Sequence, residues 1–255
     1  MKSTMTKLTL TLSACVLLGG GTAALAQEEN DSYMLQITEV GVKIGHDSAF
    51  REAVKDYHAC LEEHEDAGTW STWSNVGGEG RQYHFVSRMD NWAEMDSPWE
   101  AGKACWPEHE EHLTPHVESV STHYARHMAD WSGEAEGYTV VRLHHFRVDD
   151  NSDFRDAVSA ITGIMKEAEY EHLGTWYQNI GNDSTEPDYF VVAHYDNFAA
   201  LDEDRAGPYD TVVKAAGEER ADELWEQFGD ALRDDWEYFT DMLRREDELS
   251  RLEED

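Results

Sequence analysis

Histidines and an arginine at strand-like spacing are the side chains of this sequence best suited to proton transfer or ligand binding. His123 and His127 lie four residues apart in the alternating segment SVSTHYARHMADW, so on a strand both point to one face. His84 and Arg88 share this spacing in QYHFVSRM, where Arg88 aligns with His194 of DYFVVAHY. Imidazole transfers protons near neutral pH, and guanidinium binds carboxylate or phenolate groups. The candidate catalytic residues are therefore His123, His127, Arg88 and His194, with His84 as a ligand-binding residue.

More candidate ligand contacts come from the next strand-like segment and from the tryptophans. Arg142 and His144 share one face of YTVVRLHH. Trp70 and Trp176 end two copies of the tripeptide GTW and could form the aromatic walls of a site for a flat ligand. We predict that these four residues bind the ligand. The alternative is that the tryptophans belong to the core and that the histidines are solvated or paired with nearby carboxylates.

A separate histidine cluster could bind a metal ion. His109, His112 and His116 are spaced by three and four residues, which puts them on one face of a helix. Such a face could bind zinc or copper. However, Pro115 would distort the helix between the second and third histidines, and HEEH is not the HExxH motif of zinc proteases. The alternative is three unrelated surface histidines.

The first residues resemble an export signal. Lys2 and Lys7 precede an apolar run over 8–19, and Ala24-Leu25-Ala26 forms an A-x-A cleavage site. We predict a signal peptide over 1–26 and a periplasmic or secreted protein, without a transmembrane segment in the mature chain. A less favoured alternative is a lipoprotein, because the residues before Cys15 resemble a lipobox.

Cys60 and Cys105 are the two cysteines that remain after export. In an oxidising compartment such a pair usually forms a disulfide, and no CxxC spacing indicates a metal or redox site. We predict a Cys60–Cys105 bond.

The composition excludes some partners. With 20 Lys+Arg against 54 Asp+Glu, the formal net charge is −34. Such a surface repels nucleic acid and anionic membranes, because each phosphate contact requires a cation. The 40% hydrophobic content, with nine tryptophans, is sufficient for a packed core.

An internal repeat defines the domain organisation. GTWSTWSNVGGEGRQYHFVSRMDNWAEMD, at 68–96, is echoed by GTWYQNIGNDSTEPDYFVVAHYDNFAALD at 174–202, and AFREAV at 49–54 by DFRDAV at 153–158. A period of about a hundred residues indicates a duplicated domain rather than a solenoid. The predicted organisation is repeat 1 over 33–131, a linker over 132–137, repeat 2 over 138–243 and a charged tail over 244–255.

Each repeat has the same predicted order of elements: strand, helix, strand, strand, helix, strand. This is the ferredoxin-like unit, whose two helices cover one face of an antiparallel sheet. The segment at 224–243 is ambiguous, since its apolar residues have helical spacing throughout. We follow the duplication and predict that the part from about Trp236 is the final strand.

The element order, the GTW hairpins and the DNW and DNF helix starts resemble the dimeric α+β barrel superfamily, which includes antibiotic-biosynthesis-monooxygenase-like proteins, in a fused tandem form. The resemblance covers 33–243 and implies an α+β fold in which two ferredoxin-like repeats face each other sheet to sheet as a pseudo-dimeric barrel. Such a pairing buries the sheet faces that the helices leave bare.

The resemblance also implies classes of function. The superfamily includes cofactor-free monooxygenases of aromatic compounds, haem-degrading enzymes and stress-response proteins. We expect a small-molecule pocket for an aromatic or haem-like ligand, which requires an open space between the sheets. The expected cofactor is haem or none, and a transition metal is a further option. The alternative is a non-catalytic binding or stress-response protein that binds metal through histidines. A monomer, as a pseudo-dimer, or a homo-oligomer fits the duplication.

Overall fold

The computed structural model describes residues 32–134, 136–181, 186–234 and 239–252. The predicted signal peptide and lipobox lie outside these ranges. The elements of the first half are β1 (Met34–Val42), α1 (Asp47–Leu61), β2 (Ser71–Asn75), β3 (Arg81–Met89), α2 (Glu100–Leu113) and β4 (Val117–His127). Those of the second half are β5 (Val140–Phe146), α3 (Asn151–Glu167), β6 (Thr175–Ile180), β7 (Tyr189–Tyr195), α4 (Pro208–Ala216), α5 (Glu218–Asp230) and β8 (Phe239–Arg245).

The strands form one closed antiparallel barrel in the order β1-β3-β2-β8-β5-β7-β6-β4, with β4 returning to β1. Each half contributes four neighbouring strands. The halves join along two seams: β2 pairs with β8 through Trp73 and Arg245, and β4 pairs with β6 through Tyr124 and Ile180. The expected α+β barrel is therefore present, and its two sheets are continuous at both edges. Closure removes the exposed edges that four-stranded sheets would leave.

The helices pack on the outside of the barrel. Phe50 and Val54 of α1 pack with Val40, Val42 and Tyr83 of the sheet. In β1 the even-numbered residues thus face the helices, and the alternation of a strand turns the odd-numbered ones into the barrel. The equivalent core of the second half contains the residues Phe146, Phe154, Val158, Trp176 and Tyr189.

The AFREAV and DFRDAV segments occupy equivalent places in the two halves. The Arg51 guanidinium donates to the Tyr83 hydroxyl over 3.3 Å, and Arg155 donates to Tyr189 over 3.3 Å. Each tyrosine hydroxyl in turn donates to the first residue of the neighbouring helix, Tyr83 to Asp47 over 2.7 Å and Tyr189 to Asn151 over 2.7 Å. The two halves therefore share this local geometry, although the sequences around it differ.

Each half sends the residues after its last strand into the core of the other half. After β4, a 3-10 turn over Ala129–Trp131 buries Trp131 against Phe154 of the second half. After β8, a 3-10 turn over Asp247–Leu249 buries Leu249 against Phe50 of the first half. We call these two segments the exchanged tails. Residues 244–252 therefore belong to the folded body, which differs from the charged tail expected from 244 onward.

The ambiguous segment after residue 224 contains a helix followed by a strand, as predicted from the duplication. α5 ends at Asp230 and β8 begins at Phe239, with 235–238 outside the described residues. The second helical segment of this half is divided into α4 and α5 at Gly217, which has a φ of 93°. Glycine adopts this left-handed backbone without a steric penalty.

The predicted disulfide is confirmed. It joins Cys60 of α1 to Cys105 of α2, whose Cα atoms are 5.9 Å apart. Both helices lie on the same face of the first half, so the bond fixes one against the other. Within the part of the chain that the structure describes, no helix is long and apolar enough to span a membrane.

Candidate functional site

The barrel encloses an open cavity with a volume of about 870 Å³. This is within the usual range for small-molecule sites, about 300–1,000 Å³. Its middle is a band of apolar side chains from strands of both halves. The residues of this apolar band are Leu35, Ile37, Val86, Val141, Leu143, Phe190, Val192 and Leu243.

One end of the cavity holds histidines paired with carboxylates, and we call it the acidic end. His145 Nε2 lies 3.0 Å from Asp241 Oδ2. Glu39 lies between two histidines, with Oε1 3.4 Å from His84 Nδ1 and Oε2 3.8 Å from His123 Nε2. These residues come from β1, β3, β4, β5 and β8, so both halves build this end.

Both central carboxylates are held in their ionised form. A hydrogen bond from His84 lowers the pKa of Glu39, although burial and the charge of Asp241 oppose this shift. The adjacent His145 imidazole likewise lowers the pKa of Asp241 against the effect of burial. The charge of Asp241 acts on Glu39, so two negative charges share this end. An imidazole beside an ionised carboxylate is oriented and made a better proton acceptor.

The opposite end is lined with tyrosines, and we call it the tyrosine end. Tyr33 and Tyr177 share a hydrogen bond between their hydroxyls over 3.0 Å, and the Arg88 guanidinium lies 4.3 Å from the centre of the Tyr33 ring. Tyr138 packs against His194, with ring centres 4.3 Å apart. Burial raises the pKa of Tyr177 well above its usual range, so its hydroxyl stays protonated and can donate.

His194 is a neutral imidazole in this environment. Burial alone lowers the pKa of His194 to about 4. Its Nε2 atom lies 3.4 Å from the hydroxyl of Thr175. At neutral pH one ring nitrogen therefore donates a hydrogen bond, the other accepts one, and the ring carries no charge.

The structure brings most of the predicted catalytic residues to the cavity. Arg88, His123 and His194 line it, together with His84, which was predicted to bind the ligand. His127 lies beside the tyrosine end, where its ring stacks on Tyr33 with a centre-to-centre distance of 4.4 Å. They are divided between the two ends and do not form one cluster.

The expected placement of Arg142 and His144 in the cavity is wrong. Val141, Leu143 and His145 line the cavity, and the two predicted residues alternate with them on the other side of β5. Tyr138 also lines the cavity, three residues before Val141, so strand alternation is interrupted between them. Aligning YTVVRLHH, which begins at Tyr138, with YMLQITEV, which begins at Tyr33, therefore puts the strand out of phase by one residue.

Trp70 and Trp176 also lie away from the cavity. Trp176 packs among Phe146, Trp131 and Phe154 in the core under the helices of the second half. Trp70 packs against His58, with ring centres 5.1 Å apart. Trp73 provides the aromatic wall instead, and its ring stacks on Tyr138.

The three histidines of the predicted metal cluster point to different surroundings. His109 is buried against Tyr57 of α1, whereas His112 is exposed. His116 lies in the 3-10 turn after α2, where its Nδ1 is 2.9 Å from Nδ1 of His46. The helix ends at Leu113, just before Pro115, which agrees with the distortion expected from the sequence. Among the described residues, the one group of three close metal-type ligands includes the disulfide-bonded Cys60 and Cys105, whose sulfurs are not available as thiolates.

Sequence reasoning missed Asp241 and His145, and it considered Trp73 as an aromatic wall without choosing it as a ligand contact. Asp241 lies in the segment whose helical spacing hid a strand, so its facing could not be assigned. His145 was missed because the residues of β5 were assigned to the wrong faces of the strand. Strand alternation could have identified Trp73, because Ser71, Trp73 and Asn75 of β2 line the cavity and the residues between them face outward.

The strand order and the cavity can be compared with known structures. A proposed monooxygenase from Lactobacillus acidophilus NCFM is 15% identical, with a TM-score of 0.51 over 84% of this chain and 94% of the other. A second proposed monooxygenase, from Fusobacterium nucleatum, is 12% identical, with a TM-score of 0.52 over 84% and 92%. A mutant chlorite dismutase from Candidatus Nitrospira defluvii is 12% identical, with a TM-score of 0.50 over 84% and 94%.

No protein-family model and no curated protein matches the sequence. At these identities the structural likeness is evidence for the fold. The chain has the dimeric α+β barrel fold, with both halves in one polypeptide, and the resemblance seen in the sequence is confirmed at that level.

Proposed function

We propose that the barrel interior binds a flat aromatic molecule. The observation that carries this proposal is the cavity of about 870 Å³, whose apolar band is flanked by two different polar ends. Branched aliphatic side chains and Phe190 offer a surface suited to a ring system, and Trp73 and Tyr138 offer aromatic stacking partners. Polar groups at both ends would then fix the orientation of the ligand.

A monooxygenase-like reaction is the activity that this site supports best. His145 Nε2 lies 3.0 Å from a carboxylate oxygen of Asp241, and we assign this pair the role of general base. It could remove a proton from a phenol bound in the apolar band. The resulting anion is richer in electrons and reacts more readily with dioxygen. Two structural neighbours described as proposed monooxygenases support this choice.

Haem fits the cavity less well than a smaller aromatic ligand does. A neutral His194 could coordinate iron, but haem also carries two propionates that need positive partners. Among the described lining residues, Arg88 is the one lysine or arginine, and its Nε already lies 3.4 Å from Asp90 Oδ1. The opposite end presents carboxylates. The residues that line the cavity therefore do not fit haem.

The binding proposal is tested with 2-naphthol as the probe. We expect saturable binding in calorimetry, and we expect Leu143→Trp to abolish it by filling the apolar band. Val120→Trp is the matched control, because Val120 is 62% exposed. Equal binding by both variants and the wild type would show that the probe does not enter the barrel.

Catalysis is tested separately from binding. We expect oxygen consumption with naphthols to fall at least about tenfold in Asp241→Asn, because the base loses its orienting charge, while 2-naphthol affinity changes less. If the wild type binds naphthols but consumes no oxygen with any of them, the alternative of a non-catalytic binding protein is favoured.

We also propose that the halves are tandem ferredoxin-like repeats and that the chain works outside the cytoplasm. The common strand order of the halves and the Arg51 and Arg155 contacts support the first proposal. The disulfide supports the second, because such bonds persist in oxidising compartments. N-terminal sequencing of the native protein tests it, with Gln27 as the expected first residue.

A further inference from the structure

The two ends of the cavity differ in charge. Arg88 lies at the tyrosine end, and Glu39 and Asp241 lie at the acidic end. Arg88 pairs across the sheet with Leu35, and Glu39 is four residues further along the same strand. At about 3.3 Å per residue, the ends are separated by about 13 Å along the strand. The cavity is therefore polar at two points that one elongated molecule can reach together.

The acidic end has more negative than positive charge. Glu39 and Asp241 both line the cavity at this end, and the charge of Asp241 opposes the ionisation of Glu39. Among the described residues that line this end, none is a lysine or an arginine. Positive charge can come from protonated histidines or from a ligand. A cationic group on the ligand would balance the charge of the two carboxylates in place of protonated histidines.

The surroundings of the two carboxylates also favour a cation. Phe239 stacks on His145, with ring centres 4.4 Å apart, and Trp73 lines the same cavity. Aromatic faces attract a cation through their quadrupole, and more strongly when water is partly excluded. The apolar band then begins directly beside the charged group, which suits a ring system that carries its cation at one end.

From this arrangement we infer that the ligand is an arylalkylamine, with its cationic nitrogen between Glu39 and Asp241 and its rings in the apolar band. This inference rests on the proposed function, because it requires a ligand inside the barrel. It adds the charge and the orientation of that ligand. A group that accepts hydrogen bonds at the far end of the molecule would meet Arg88 and the Tyr33–Tyr177 pair.

The test compares three probes with one ring system at pH 7.5: 2-(aminomethyl)naphthalene as the cation, 2-naphthylmethanol as the neutral form and 2-naphthoate as the anion. We expect the cation to bind about fivefold more tightly than the alcohol, because both carboxylates are partly solvated and each contributes modestly. We expect the anion to bind more weakly than the alcohol.

The double variant Glu39→Gln/Asp241→Asn should bind the cation and the alcohol equally. Glu52→Gln/Glu118→Gln is the matched control, since it removes two exposed negative charges outside the cavity. It should keep the preference of the wild type. Circular dichroism establishes that both variants are folded before their affinities are compared.

The outcomes separate this inference from the proposed function. Equal or weaker binding of the cation by the wild type overturns the inference, as does a preference that survives in Glu39→Gln/Asp241→Asn, and either result leaves an aromatic ligand in the barrel. If none of the three probes binds, or Leu143→Trp binds them as the wild type does, both proposals fail together.

Discussion

Glu246 is a buried carboxylate that receives hydrogen bonds from both halves of the chain. Ser74 donates over 2.6 Å, Arg244 over 2.7 Å and Arg51 over 2.7 Å. Burial opposes its ionisation, but these three donors prevail and lower the pKa of Glu246 to about 2. The residue therefore stays charged throughout the physiological range and ties the beginning of α1 to the end of β8.

We expect Glu246→Gln to reduce the free energy of unfolding by about 3 kcal/mol at pH 7. The folded pKa lies below the unfolded value of about 4.5, so this stabilisation is complete above pH 4.5 and is lost as the pH falls towards 2. Urea titrations should show the difference between variant and wild type shrinking over that window. Glu248→Gln is the control, because Glu248 is 66% exposed, and its effect should be small.

His194 gives a second prediction about stability and pH, for a group that is positively charged when protonated. Its folded pKa of about 4 lies below the ordinary value of 6.5, so the unfolded chain takes up a proton first. The folded state is therefore destabilised relative to the unfolded state as the pH falls from about 6.5 to 4. In NMR titrations the Cε1–H resonance of His194 should stay constant from pH 7.5 to 5.5. A midpoint near 6.5 would show that the ring is solvated.

Residue types at strand spacing were sufficient to predict His84, Arg88, His123 and His194 as cavity residues. They were insufficient for His145, because one irregularity near Thr139 reverses every later side chain of β5. Pairing across the barrel, such as Asp241 with His145, joins residues 96 positions apart in the sequence, and no local pattern encodes it.

At the scale of elements, the duplication predicted more than periodicity did. The apolar spacing after Leu224 is helical, yet the repeat required a strand, and β8 is present. The strand forms there because it completes the pairing with β2 and β5, and this tertiary context overrides local preference. The exchanged tails were not predictable, because Trp131 and Leu249 are buried by partners in the opposite half.

The disulfide gives a prediction at the scale of elements. Cys60 and Cys105 are 45 residues apart, and a loop of that length stabilises the fold by up to about 4 kcal/mol in the chain-entropy model. We expect the Cys60→Ala/Cys105→Ala variant to lose a comparable amount in urea denaturation. Dithiothreitol should reduce the stability of the wild type but not that of the variant. An unchanged wild type under complete reduction would contradict this.

At the scale of the whole molecule, the net charge of −34 is the dominant electrostatic property. Repulsion between like charges favours expansion of the chain, and salt screens it. We expect the melting temperature to rise between 0.05 and 1 M NaCl, by about 2–4 °C for each kcal/mol of relieved repulsion. Scanning calorimetry at several salt concentrations measures it. A falling melting temperature would mean that attractive ion pairs such as Arg51–Glu246 outweigh the repulsion.

The exchanged tails have a consequence for how the molecule is made. Leu249 fills the interior next to Phe50, which leaves the ribosome much earlier. The core around Phe50 is therefore complete only after Leu249 has been synthesised, so the first half cannot finish its packing before the second half exists.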